Sequence, residues 1–176
     1  MPNKNLISFD TIQKSLAVVK QKLPDFPVEY TRLVRLIANV HQRTVDIYNE
    51  LLKQFGLSYR TYSALMSIYT AGEDGITPSA LAEAMGEKRT NITRLCDELL
   101  QLNLISRDSG SADRRNIHLR ISDQGEALLD RLAPRIKELL TRLYAPLSQQ
   151  QLDDVEAALY KKLQVLVQMN HQSGSD

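Results

Sequence analysis

Two short stretches of this 176-residue chain hold the side chains best suited to chemistry, and the chemistry they suit is hydrogen bonding to a polyanion. The first reads Lys88-Arg89-Thr90-Asn91-Ile92-Thr93-Arg94. In it Lys88, Arg89, Thr90, Asn91, Thr93 and Arg94 are donors that match base edges and phosphate oxygens. Ser79, just upstream beside Pro78, adds a hydroxyl to that set. The second is Asp113-Arg114-Arg115, at the end of the polar run that starts at Ser109. Arginines at a loop tip suit the minor groove, whose negative potential draws in a guanidinium. Phosphate would repel Asp113, so its expected task is to hold an arginine by a charge-assisted hydrogen bond.

Other chemistries lack their residues. There is no glycine-rich phosphate loop, no G-x-S-x-G and no carboxylate pair with a positioned partner, so no catalytic residue, enzymatic activity or cofactor is expected. His41, His118 and His171 stand far apart on different elements, which argues against a metal site. Cys96 is the only cysteine, so an internal disulfide is excluded, and it falls on an apolar helical stripe where a thiol acts as a small core residue. No apolar run approaches the ~20 residues that span a bilayer. The N-terminus has no apolar core followed by a small-residue cleavage site, and the expected compartment is the cytoplasm. No membrane partner is expected.

Charge is spread unevenly although the net value is +1. Residues 86–121 hold seven Lys/Arg against five Asp/Glu, whereas residues 122–176 hold six against eight. A balance this even excludes a broad positive surface but permits a local phosphate-contacting patch.

The elements that must position these donors follow from periodicity and punctuation. Asp10 with Gln13 reads as a capping box opening a helix over Thr11–Leu23, stopped by Pro24-Asp25-Phe26-Pro27. A long helix is predicted over Val28–Phe55, and the next runs from a Ser58 cap to Gly72. Thr77-Pro78 opens a short helix that ends at Gly86, and a second helix runs from Lys88 to Asn103 with Ile92, Leu95, Cys96, Leu99 and Leu102 as its seating stripe. Two alternating segments, Ile105–Asp108 and Asn116–Ile121, flank the Arg114-Arg115 loop as strands. Ser122 then caps a long helix, Pro146 interrupts, and Ser148 with Gln151 caps the last, whose polar tail after Met169 is expected to fray.

This order is that of a winged helix-turn-helix, in which the second helix of the pair fits the major groove. The fold class is mainly α with a small β-hairpin wing. Residues 1–56 read as N-terminal dimerisation helices, 57–121 as the DNA-binding domain, and 122–176 as C-terminal dimerisation helices. The long flanking helices carry more apolar surface than a small winged domain can cover, which argues for a partner subunit.

The stretch LAEAMGEKRTNITRLCDELLQLNLISRDSGSADRRNIHLRISDQGEALL resembles the DNA-binding domain of the MarR family, through its TRLCDEL run, its DRR wing and its final IS-x-x-G. DFPVEYTRL and FGLSYRTYSALMSIY resemble the multidrug-efflux repressors of that family. The resemblance implies a homodimeric transcriptional repressor on pseudo-palindromic double-stranded DNA, released by a small aromatic or phenolic effector. It also implies that Arg115 is the minor-groove arginine, with Asp113 orienting it. Serine stands as N-cap in many relatives where this chain has Lys88, and lysine cannot cap in that way. Between the second and third helices, His41, Tyr62 and Tyr69 offer polar tips beside aliphatic side chains, a mixture suited to an aromatic effector. His41 has a plainer reading as a satisfied edge residue of the long helix, and that reading is the favoured one. The rival function is a helical interaction module whose winged domain binds a protein partner.

Overall fold

The computed structural model describes residues 9–109 and 117–173. Among them are α1 (Phe9–Lys22), α2 (Val28–Lys53), α3 (Tyr59–Thr70), a 3-10 turn at Gly72–Asp74, α4 (Pro78–Met85), α5 (Arg89–Gln101), β1 (Ile105–Ser109), β2 (Ile117–Ile121), α6 (Asp123–Tyr144) and α7 (Gln149–Ser173). The chain forms two compact units, one ending at Gly125 and the other starting at Glu126.

In the first unit the punctuation acts where it was read. Ser58 Oγ accepts the Thr61 amide while Thr61 Oγ1 accepts the Ser58 amide, a reciprocal cap for α3. Thr77 Oγ1 accepts the Ala80 amide, and Pro78 supplies a preset φ at the first turn of α4. Asp10, expected as the cap of the first helix, lies inside α1 instead. Packed between α3, α4 and the hairpin, α5 buries Ile92, Leu95, Cys96 and Leu99, and Leu52, Leu65, Ile68, Leu81 and Leu119 complete the core. At ~2 kcal/mol for each fully buried aliphatic side chain, this stripe holds α5 in place. A satellite cluster of Ile12, Leu16 and Val28, with Val19 beside it, joins α1 to α2.

The hairpin is antiparallel and runs in register from Ile105 opposite Ile121 to Ser109 opposite Ile117. Its root is fastened by a third segment: Ile76 and Leu119 exchange both backbone hydrogen bonds, at 3.0 and 2.8 Å. Gly75, at φ +67°, makes this approach possible, because a Cβ there would stand 2.7 Å from the Leu119 carbonyl oxygen. Along β2, Leu119 is fully buried while Ile117 is 40% exposed, so the strand lifts away from the core toward the wing tip.

Ser122 opens α6 as expected, accepting the Gly125 amide at 3.0 Å and donating to the Asn103 carbonyl. In the second unit α6 passes through Pro134, which costs one ladder bond without ending the helix, and it buries Leu128, Leu129, Leu132 and Ile136. The Ser148–Gln151 capping box starts α7. That helix continues through Ser173, past the point where fraying was expected. Its stripe of Val155, Leu159, Leu163 and Leu166 stays 45–56% exposed.

Candidate nucleic-acid interface

The turn between α4 and α5 is closed by backbone alone. Gly86 adopts the left-handed conformation at φ +61°, its amide donates to Glu83 O, and the Glu87 amide reaches back to Ala82 O at 2.9 Å. This double closure ends one helix and aims the next. Lys88 follows in extended conformation at the N-cap and makes no side-chain capping bond, as its chemistry requires.

From there the helical period sorts the donors. Lys88, Arg89, Thr90, Thr93 and Arg94 are exposed, and so is Ser79 on α4, while Ile92, Leu95 and Cys96 point into the core. The structure therefore brings five of the six expected α5 donors onto one open surface. Thr93 spends its hydroxyl proton on the Arg89 carbonyl at 3.1 Å, which leaves its lone pairs as acceptors. Asn91 is the exception: it is half-buried, and its Nδ2 donates to Glu87 Oε2 at 2.8 Å. The other oxygen of Glu87 lies 3.1 Å from Arg60 Nη2 on α3. Neither Glu87 nor Arg60 was picked out from the sequence. The only local signal was the four-residue spacing of Glu87 and Asn91, which suits a helical side-chain pair.

Two further ion pairs flank the surface. Arg107 on β1 meets Asp97 on α5 at 2.6 Å, tying the wing root to the helix. Arg120 lies 3.8 Å from Asp108 across the hairpin. Both pairs are exposed, and such pairs are worth little stability. Asp113, Arg114 and Arg115 lie outside the described residues.

A cleft of about 600 Å³ opens between α2, α3 and the end of α4, lined by His41, Val45, Tyr59, Arg60, Ser67 and Met85 among others. His41 is thus on its wall. Tyr62 and Tyr69 are not among its lining residues. The Tyr62 ring instead faces Tyr48 at 6.1 Å, and Tyr48 packs edge-on against Tyr59 at 5.1 Å. Burial, and then Tyr59 nearby, push the Tyr62 phenol above its ordinary range. Tyr69 stands 45% exposed, seven residues along the same face of α3 as Tyr62.

Cys96 is buried, and burial pushes its thiol pKa up; Arg107 opposes the shift and Asp97 adds to it. A thiol held protonated in apolar surroundings is a packing group. Among the described residues no cluster of three or more His, Cys, Asp or Glu could hold a metal ion. None of the helices there is long and apolar enough to cross a membrane.

Comparison with known proteins agrees with this arrangement. The chain is 32% identical over 162 residues to the transcriptional repressor MprA of Escherichia coli (strain K12), covering 92% of each chain. A family model described as transcriptional regulator SarA/Rot matches residues 46–132. Among solved structures, a mutant of MarR from E. coli complexed with operator DNA is similar with a TM-score of 0.69 at 23% identity, covering 82% of this chain and 97% of that one. CouR from Rhodococcus jostii RHA1, bound to p-coumaroyl-CoA, is similar with a TM-score of 0.63 at 25% identity, covering 70% and 86%.

Proposed function

This chain belongs to the MarR family of transcriptional regulators, and from that premise we propose how it works: a cytoplasmic homodimer sets two copies of α5 into successive major grooves of a pseudo-palindromic operator and represses transcription there. The observation that carries this reading is the sorting of α5, with Arg89, Thr90, Thr93 and Arg94 on open surface and Ile92, Leu95, Cys96 and Leu99 buried beneath them. Arg89 and Arg94 are the candidates for guanine edges and phosphates, Asn91 for adenine, and Lys88, Thr90 and Ser79 for the backbone. In the wing, Arg115 enters the minor groove with Asp113 orienting it, and Arg114 contacts phosphate. Residues 57–121 carry the DNA contacts, and the dimer is built by 1–56 and 122–176. No enzymatic step belongs to this reading.

Release by a small aromatic effector is the second half of the proposal. The support is the cleft of about 600 Å³ beside His41, whose wall sets Val45, Met85 and Tyr59 beside Ser67 and the charged Arg60 and Glu87, a mixture that suits a ring carrying a polar group. In a dimer the two copies of α5 must stay about 34 Å apart. An effector therefore need only favour a conformation with the wrong spacing.

A shift assay on genomic fragments, repeated across a salt series, tests the DNA half. A steep fall of affinity with salt, about 0.9 log units per phosphate contact per tenfold change, is expected. Salt-insensitive binding or none would leave the protein-partner reading. Titrating salicylate and 2,4-dinitrophenol against the preformed complex tests the other half. If neither lowers affinity where calorimetry shows binding, the repressor is not ligand-released.

A further inference from the structure

We infer that Glu87 is a positioning residue for DNA reading, clamped between Arg60 and Asn91 so that it steadies the start of α5 without repelling the DNA. This rests on the reading of α5 as the helix that enters the groove.

The clamp begins in the backbone. The closure of α4 fixes Glu87 one residue before the N-cap, at a helix start where Lys88 provides no side-chain cap. From that anchored position the carboxylate is shared by two elements. Oε2 takes the Asn91 amide at 2.8 Å, and Oε1 takes Arg60 of α3 at 3.1 Å. The Glu87 side chain is only 18% exposed, whereas that of Arg60 is 56% exposed. The anion is therefore the sheltered member, with a partner on each oxygen. An ordinary surface ion pair contributes little because water screens both ends. Here the sheltered carboxylate would be left partly unpaired if Arg60 were removed, which is the costly direction.

Three physical consequences bear on reading. A carboxylate at the start of α5 interacts favourably with the positive end of the helix dipole. The bond to Glu87 also orients the Asn91 amide, so a side chain that must offer both an acceptor and a donor to one base has less freedom to lose on binding. Finally, Arg60 cancels the charge that phosphates approaching Lys88 and Arg89 would otherwise meet. Each partner is useful only while the others are in place, so the effects of changing them should not add.

The test measures operator and scrambled-duplex affinity of the full chain at one salt concentration, with thermal melting as a check on folding. Arg60→Ala exposes the carboxylate and should weaken operator binding roughly ten-fold, and adding Glu87→Gln should recover most of that loss. Glu87→Ala should cut the operator-to-scrambled preference roughly ten-fold, because Asn91 loses its orientation. Glu87→Gln alone should restore the preference, since its side-chain oxygen can still accept from Asn91. Additive effects of Arg60→Ala and Glu87→Gln, or an unchanged preference in Glu87→Ala, would overturn the clamp while leaving the DNA reading intact. If Arg89→Ala and Arg94→Ala also leave affinity unchanged, α5 does not read DNA and both ideas fall. Should Arg60→Ala not fold, the Glu87→Ala and Glu87→Gln pair still decides.

Discussion

Two helices of this molecule carry the same kind of sequence and meet opposite fates. On α5, Ile92, Leu95, Cys96 and Leu99 recur at helical spacing and are at most 3% exposed. On α7, Val155, Leu159, Leu163 and Leu166 recur in the same way and are 45–56% exposed. The same contrast holds on α2, where Leu52 is fully buried but Leu33, Val34 and Val40 stay open. Periodicity states which face of a helix is apolar; it does not state what covers that face. The winged part of the chain covers its own stripes with α3, α4 and the hairpin. The open stripes are surface of the kind that a second copy of the chain buries in an obligate dimer.

The largest effect should come from breaking that second copy away. Leu159→Glu with Leu163→Glu should yield a monomer in sedimentation and cut operator affinity by roughly a hundred-fold or more, because two linked half-sites become one. A stable monomer of the unaltered chain at micromolar concentration would erase the distinction between α5 and α7. Next in size is Leu99→Ala on the covered stripe, expected to cost about 2–5 kcal/mol in denaturant unfolding. Leu159→Ala should instead shift the midpoint in a way that depends on protein concentration. On the open side of α5, Arg89→Ala should cost about 1–3 kcal/mol of operator binding with unchanged melting, and Arg115→Ala in the wing should do likewise. Full affinity in both variants would remove DNA reading from these positions. The smallest effect concerns Cys96: burial raises its thiol pKa, so the thiolate is scarcer at pH 8 than for a free cysteine. Alkylation by iodoacetamide should stay slow until the protein unfolds, and a free-thiol rate in the folded protein would show that the α5 stripe is open.

Much of the local architecture was legible because local chemistry makes it. The caps at Ser58, Thr77, Ser122 and Ser148 each close on an amide or amides within three residues, so neighbouring side chains are all the information they need. The candidate interface was legible for the same reason, since helical phase alone puts Arg89 and Arg94 opposite Leu95 and Leu99. The three side chains expected to face an effector are not all brought to one cleft. His41 does line the cleft, but Tyr62 turns toward Tyr48, and nothing in the spacing of α3 says which neighbour an aromatic ring will choose.

By itself, then, the sequence determined the order of helices and strands, the turns that punctuate them, and the sorting of donors from apolar stripe along α5. All of these depend on contacts within a turn or two of chain. The tertiary structure alone decided that Glu87 is held by Arg60 and that Gly75 lets Leu119 lie against Ile76. Each of those depends on where a distant segment lies. A carboxylate among basic residues and a glycine in a turn read the same with or without such a neighbour.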